Sequence, residues 1–296
     1  MASDIQTFTV TRNRSDNDKN NKIRENVLLI LHNPPATFMN DLVYGDMWKT
    51  VSKKWNTFLS SLCGVKYDDI RIKKMAGRRY NYDHEISFLY EGLVVKVVKT
   101  EFKHNSKSID KLPEYFNAPE KKRYIEKSYA EYFYDNYIDR ICSLSDTLVK
   151  PSKDVYMKHI YSSNYSKHKF FARLKEIEHT IQNEKKTIVC ESIKTYLELY
   201  SSTLNISMLT DDIKRTQSGK IFILWDCENF KLDSFLDNEF EIENIVKIKN
   251  DNVIVVKSKH GTIHNLLLRW KNHLGILYPA WQISLERLVE CTQSQS

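Results

Sequence analysis

The sequence predicts an α/β protein: a mixed central β-sheet flanked by helices, with a helical insertion and a C-terminal strand meander. Three observations carry that expectation. Residues 84 to 90 and 93 to 102 are rich in β-branched and aromatic residues, and the only turn signal between them is Gly92, so they read as an antiparallel hairpin. Leu42, Val43, Met47, Val51, Trp55, Phe58, Leu59 and Leu62 recur at three- and four-residue steps, which is the spacing of an amphipathic helix. After a long polar, helix-compatible stretch, Lys220-Ile221-Phe222-Ile223-Leu224-Trp225-Asp226 has the continuous apolar character of a buried strand that completes the sheet.

In chain order, residues 1 to 22 are polar and poor in apolar side chains, the composition of a mobile tail. The remainder, 23 to 290, is expected to form a single domain. Val27 to Leu31 is an apolar run stopped at Pro34 and Pro35, a proline-terminated helix or strand. The helix through Trp55 should end at Gly64, with Trp55 on its buried stripe. Val65 to Met75 alternates in part and reads as a strand. Beyond the hairpin, His104 to Phe116 is a polar, partly aromatic segment where a short helix is expected, limited by Pro113. Ala118 to Leu148 is tyrosine-rich and helix-compatible. Residues 146 to 217 form the helical insertion, including helices over 170 to 182 and 187 to 200. Residues 218 to 290 are strand-rich, with strands over 253 to 257, 263 to 270 and 280 to 285 and a turn at Lys259-His260-Gly261.

Composition narrows the class of function. With 296 residues, 41% of them hydrophobic, the chain can bury a real core. Its net charge of +7 favours a polyanionic partner. The charge is unevenly placed: Trp48 to Tyr80 holds nine Lys or Arg against Asp68 and Asp69, directly ahead of the hairpin, whereas Asp226 to Glu243 is acidic. Arg78 and Arg79 are placed for phosphate contact, Lys107 follows the hairpin, and Arg269-Trp270-Lys271 interleaves charge with an aromatic surface. A solvated turn and a half-buried strand with a basic outer face account for the same residues. Five scattered cysteines without a Cys-x-x-Cys pair argue for a reducing compartment and against a zinc ribbon. No stretch has the apolar length of a membrane span, so a soluble intracellular protein of the cytoplasm or nucleus is expected.

The hairpin carries the chemistry. Asp83 stands at the start of its first strand, and Glu101-Phe102-Lys103 ends its second. The turn decides whether they share a face. A two-residue Glu91-Gly92 loop would set Asp83 opposite Thr100 and turn Glu101 to the other side. A three-residue loop with Gly92 in the left-handed position of a bulge would pair Asp83 with Lys99 and Asn81 with Glu101. Asp83, Glu101 and Lys103 would then lie on one face, with diagonal neighbours roughly 7 to 8 Å apart. Acid-x-Lys occurs four times in the chain, but only here does it end an apolar strand with an acid at the start of the partner strand. Charged ends on a surface hairpin would also serve simply to deter edge pairing.

An acid opening one strand and Glu-x-Lys closing the next resembles the active-site signature of the PD-(D/E)XK nuclease superfamily, the restriction-endonuclease-like proteins. The match spans Tyr82 to Lys103, with Tyr82 where the name-giving proline would stand. The resemblance implies a divalent-metal-dependent nuclease hydrolysing phosphodiester bonds, a DNA endonuclease of restriction type. In it Asp83 and Glu101 would ligate Mg²⁺, with Mn²⁺ as a substitute, and Lys103 would orient water or stabilise developing charge. Glu85 is an outside candidate for a further ligand, and a homodimer follows by analogy. A non-catalytic nucleic-acid-binding protein would use the same basic segments and be indifferent to the carboxylates. An interaction protein presenting the acidic block to a basic partner is a third class.

Overall fold

The structure is a computed structural model that describes residues 1–10, 16–75, 80–112, 116–161, 168–234, 240–273 and 276–286. In chain order the elements are a 3-10 helix Ala2–Phe8, α1 Asn17–Ile30, α2 Ala36–Met39, α3 Gly45–Cys63, β1 Asp69–Lys74, β2 His84–Tyr90, β3 Leu93–His104 and β4 Phe116–Pro119. There follow α4 Tyr129–Cys142, α5 Lys153–His159, α6 Lys169–Glu176, α7 Glu178–Tyr200, α8 Ile206–Gln217, β5 Lys220–Trp225, β6 Phe230–Asp233, β7 Ile242–Lys249, β8 Val253–Ser258, β9 Ile263–His273 and β10 Ile276–Glu286. The protein is of mixed α/β class, with one five-stranded sheet ordered β1-β2-β3-β5-β6 and another ordered β4-β10-β9-β8-β7.

The chain divides into two compact units instead of the single domain expected over 23 to 290. Unit 1 comprises Met1–Lys111 and Arg215–Asp237, and unit 2 comprises Leu112–Lys214 and Asn238–Ser296. The physical reason lies in the strand pairing: among the described residues no strand of one sheet pairs with a strand of the other, so each sheet builds its own core. The helical stretch therefore belongs with the C-terminal strands.

In unit 1, β1, β2 and β3 form an antiparallel meander, β5 joins β3 in parallel, and β6 closes antiparallel to β5. The parallel pair requires a crossover, and the chain makes it by way of the first segment of unit 2. One face of the sheet is buried by helices: Trp48, Trp55 and Leu59 of α3 and Val27 and Leu28 of α1 pack with Ile86, Phe88, Phe102, Ile223 and Trp225. Gly64 ends α3 in the left-handed conformation (φ 65°), as the sequence predicts.

The N-terminal residues are not a tail. Ile5 and Phe8 are fully buried, Trp48 Nε1–H donates to the Ala2 carbonyl (2.8 Å), and Trp225 Nε1–H donates to the Phe8 carbonyl (2.9 Å). The buried Arg24 of α1 clamps the same segment through Thr7 O (2.7 Å). Among the described residues of the segment two apolar side chains carry this docking, too few to lift it above its polar composition. The helix expected over 104 to 116 is also absent among the described residues. There β3 runs on to His104, and a short 3-10 turn, Ile109–Lys111, is pinned by Ile109 N–H on the Asp233 carboxylate (3.0 Å).

In unit 2 the second sheet is antiparallel throughout, in agreement with the expected meander. Helices α4 and α7 pack through tyrosines: the Tyr129 and Ser192 hydroxyls lie 2.7 Å apart, and Tyr196 stands edge-on to Tyr129 with ring centroids 5.1 Å apart. The break between α6 and α7 falls at Ile177, earlier than the spacing suggested. The buried Glu120 carboxylate caps the start of α4, accepting from Tyr129 N–H (2.7 Å) and the Tyr161 hydroxyl (2.6 Å). Its partners explain an acid 1% exposed without invoking catalysis.

Candidate active site

The hairpin register settles which acids meet. Tyr90 pairs with Leu93, so the loop is the two-residue Glu91-Gly92, and both residues are left-handed (φ 51° and 79°), as a type I′ turn requires. That loop alone would have separated the acids. A β-bulge corrects it: pairing jumps from Leu89↔Val94 to Phe88↔Lys96, leaving Val95 as the extra residue, and from there the ladder runs to His84↔Thr100. The next step brings Asp83 level with Glu101. Neither register drawn from the sequence is the observed one, yet the consequence expected of the second holds, since directly opposed residues share a face.

Asp83 is fixed at backbone and side chain. Its N–H donates to the Thr100 carbonyl (2.9 Å), its carbonyl accepts from Met75 N–H (2.8 Å), and its Oδ2 accepts from Phe102 N–H (2.9 Å). Burial and then the neighbouring Glu101 charge push its pKa up to about 6, against the opposing pull of Phe102 N–H and Lys103. Glu101 behaves in the opposite way. Burial alone would raise it, but Lys103 and Lys220 outweigh that and hold it below the usual carboxylate range. Lys103 Nζ lies 2.5 Å from Glu101 Oε1, and Lys220 Nζ bonds Glu101 Oε2.

The two lysines differ in what else they can do. The Lys103 side chain is 27% exposed, whereas that of Lys220 is 3% exposed. Lys220 also donates to the Asn81 carbonyl (2.8 Å), so it ties the start of β5 to the segment leading into Asp83. Asn81 Nδ2–H in turn donates to the Thr216 carbonyl (2.6 Å).

Asp83 and Glu101 line an open cleft of about 610 Å³. Lys22, Glu25 and Asn26 of α1 line it as well. Glu25 is ion-paired to Lys74 (2.9 Å), its charge adds to the upward push on Asp83, and its carbonyl accepts from His84 Nε2–H (2.9 Å). Burial holds His84 below the ordinary histidine value. Among the described residues, no group of three or more His, Cys, Asp and Glu converges as a metal cage.

The other expected contacts do not all belong to unit 1. Arg78 and Arg79 lie outside the described residues. Lys107 is exposed in unit 1 after β3. Arg269 belongs to unit 2, where it donates to Gln282 (2.6 Å) and lines a largely apolar cavity of about 440 Å³. Lys271 is placed in β9, with its side chain outside the described atoms. Trp270, read as part of a stacking surface, instead packs against Phe133 (4.9 Å) and donates from Nε1 to the Tyr129 hydroxyl (3.0 Å). Glu85 sits opposite Lys99 and Lys73, outside the lining of the cleft.

Sequence reasoning missed Lys220 and Glu25. A lysine opening an otherwise apolar buried strand was the available signal for Lys220; Glu25 followed a segment read as tail. No family model matches the chain, and neither a curated protein nor a solved structure does. No helix among the described residues is long and apolar enough to cross a membrane.

Proposed function

We propose that unit 1 is a divalent-metal-dependent nuclease that hydrolyses phosphodiester bonds in DNA, with a restriction-endonuclease-like sheet. The observation that carries this reading is the union of Asp83 and Glu101 on one cleft with Lys103 ion-paired beside them. Two mutually repelling, largely buried carboxylates form a hard-oxygen donor set suited to Mg²⁺ or Mn²⁺. Such ions are commonly held by one or two carboxylates together with substrate phosphate oxygens, so a pair of acids suffices. When bound, the ion supplies Lewis-acid activation of water and neutralises charge on the scissile phosphate.

The chain's own residues do the rest. Asp83 sheds its proton near pH 6 and becomes a full anion facing the cleft. Glu101 is already ionised, held there by two ammonium groups. Lys103, the more exposed of them, orients the attacking water or stabilises charge developing on the phosphate. Lys220 is a positioning residue that fixes Glu101 against the Asp83 strand.

Removing the Lys103 ammonium should separate cutting from binding. Lys103→Ala is expected to lower the metal-dependent cleavage rate at least about 100-fold while leaving DNA affinity within a few-fold, because one of many cations is lost. Plasmid nicking followed on a gel, with binding followed by fluorescence anisotropy, reads both. Equal cleavage by parent and variant would remove Lys103 from the chemistry. Binding without cutting by the parent would favour the non-catalytic binder.

A further inference from the structure

The cleft that holds Asp83 and Glu101 is also lined by two aromatic side chains, Tyr80 and Tyr82. Their rings stand edge-on, with centroids 5.7 Å apart and planes at 63°. Tyr82 is anchored by Lys99, whose Nζ lies 5.5 Å from its ring centroid. Tyr80 is 37% exposed. Lys22 and Lys74 line the same cleft, and Lys74 is steadied by Glu25 and by Asn26 (2.9 Å each).

Aromatic surface interleaved with lysines beside a hydrolytic site is selective in a physical sense. In a duplex the face of each base is already covered by its neighbours, so tyrosine rings gain nothing from it. A single strand offers bare base faces, and base–aromatic stacking on such a platform tolerates any sequence. We propose that Tyr80 and Tyr82 form a stacking platform for an unpaired base next to the scissile phosphate, which makes single-stranded nucleic acid the preferred substrate of this cleft. The inference rests on the nuclease reading for its hydrolytic part only, since stacking can be measured without cutting.

The test uses the full chain with dye-labelled single strands of about 12 nucleotides, within the usual footprint of such sites, and with duplexes of the same length. Affinity is measured in EDTA at matched salt, and cleavage in Mg²⁺. The parent is expected to bind the single strand at least about tenfold more tightly than the duplex, and Tyr80→Ala to weaken single-strand binding by about five- to hundredfold. Duplex binding should be unchanged in that variant, which also shows that it is folded. Tyr80→Phe, which keeps the ring, should restore single-strand affinity. Equal or tighter duplex binding overturns the proposal, as does Tyr80→Ala weakening both substrates alike or neither, or no binding to either. If the single-strand preference and the tyrosine dependence hold but nothing is cut, the platform stands and the nuclease reading falls. Cleavage confined to duplex does the reverse.

Discussion

Asp83→Asn is expected to abolish cleavage and, in the absence of divalent metal, to make the protein more stable. The folded-state pKa of Asp83 is raised from 3.8 to about 6, so the native chain holds this proton more tightly than the unfolded chain. The stability that proton contributes is present below pH 3.8 and is lost as pH rises through about 6. Above that the native state carries a penalty of about 2–3 kcal/mol for a buried, repelled charge. Asparagine removes the charge and still accepts from Phe102 N–H through its side-chain oxygen. Urea unfolding in EDTA should therefore show the variant ahead of the parent at pH 8, with the gap closing toward pH 4. A variant less stable than the parent at pH 8 would mean that Asp83 is held by favourable partners and is not a strained acid. Active sites commonly carry such a cost to stability.

Lys220→Met should have the opposite sign. The methionine leaves one oxygen of buried Glu101 and the Asn81 carbonyl without their ammonium donor. Breaking a buried pair from one side costs about 3–5 kcal/mol, and Lys103, which remains on the other Glu101 oxygen, should bring the loss to the lower end. Lys103→Ala, at a partly exposed position, should cost under about 1 kcal/mol. Denaturant midpoints of the two variants at pH 8 test the division of labour between the lysines. Equal losses would contradict it. A Glu101→Gln background should shrink the Lys220 effect, because the charge that Lys220 balances has gone.

Much of this site was legible in the sequence, and what was hidden has identifiable causes. The hairpin, its Gly92 turn, the helix ending at Gly64 and the strand from Lys220 all announce themselves through periodicity or a residue with special backbone freedom. The register did not, because the bulge falls within Leu93-Val94-Val95, where any of three similar apolar residues could be the extra one. Lys220 reaches Glu101 from a strand more than a hundred residues away, a proximity that only the parallel pairing of β3 with β5 creates. The division into two units was hidden for a similar reason. The sequence marks where strands are but not which sheet each joins, and the meander closes on β4 instead of on the hairpin. Tyr80 and Tyr82 were visible as residues, but the cleft they line also takes Lys22, Glu25 and Asn26 from α1, a neighbour that no local pattern reveals.

The most direct measurement is cleavage by the parent protein of supercoiled plasmid, single-stranded DNA and RNA, in Mg²⁺, in Mn²⁺ and in EDTA, with Glu101→Gln alongside. Strand scission is expected with either metal, none in EDTA, and none above background in the variant. Intact nucleic acid in every metal, or cutting that survives both EDTA and the loss of the Glu101 charge, would contradict the nuclease reading.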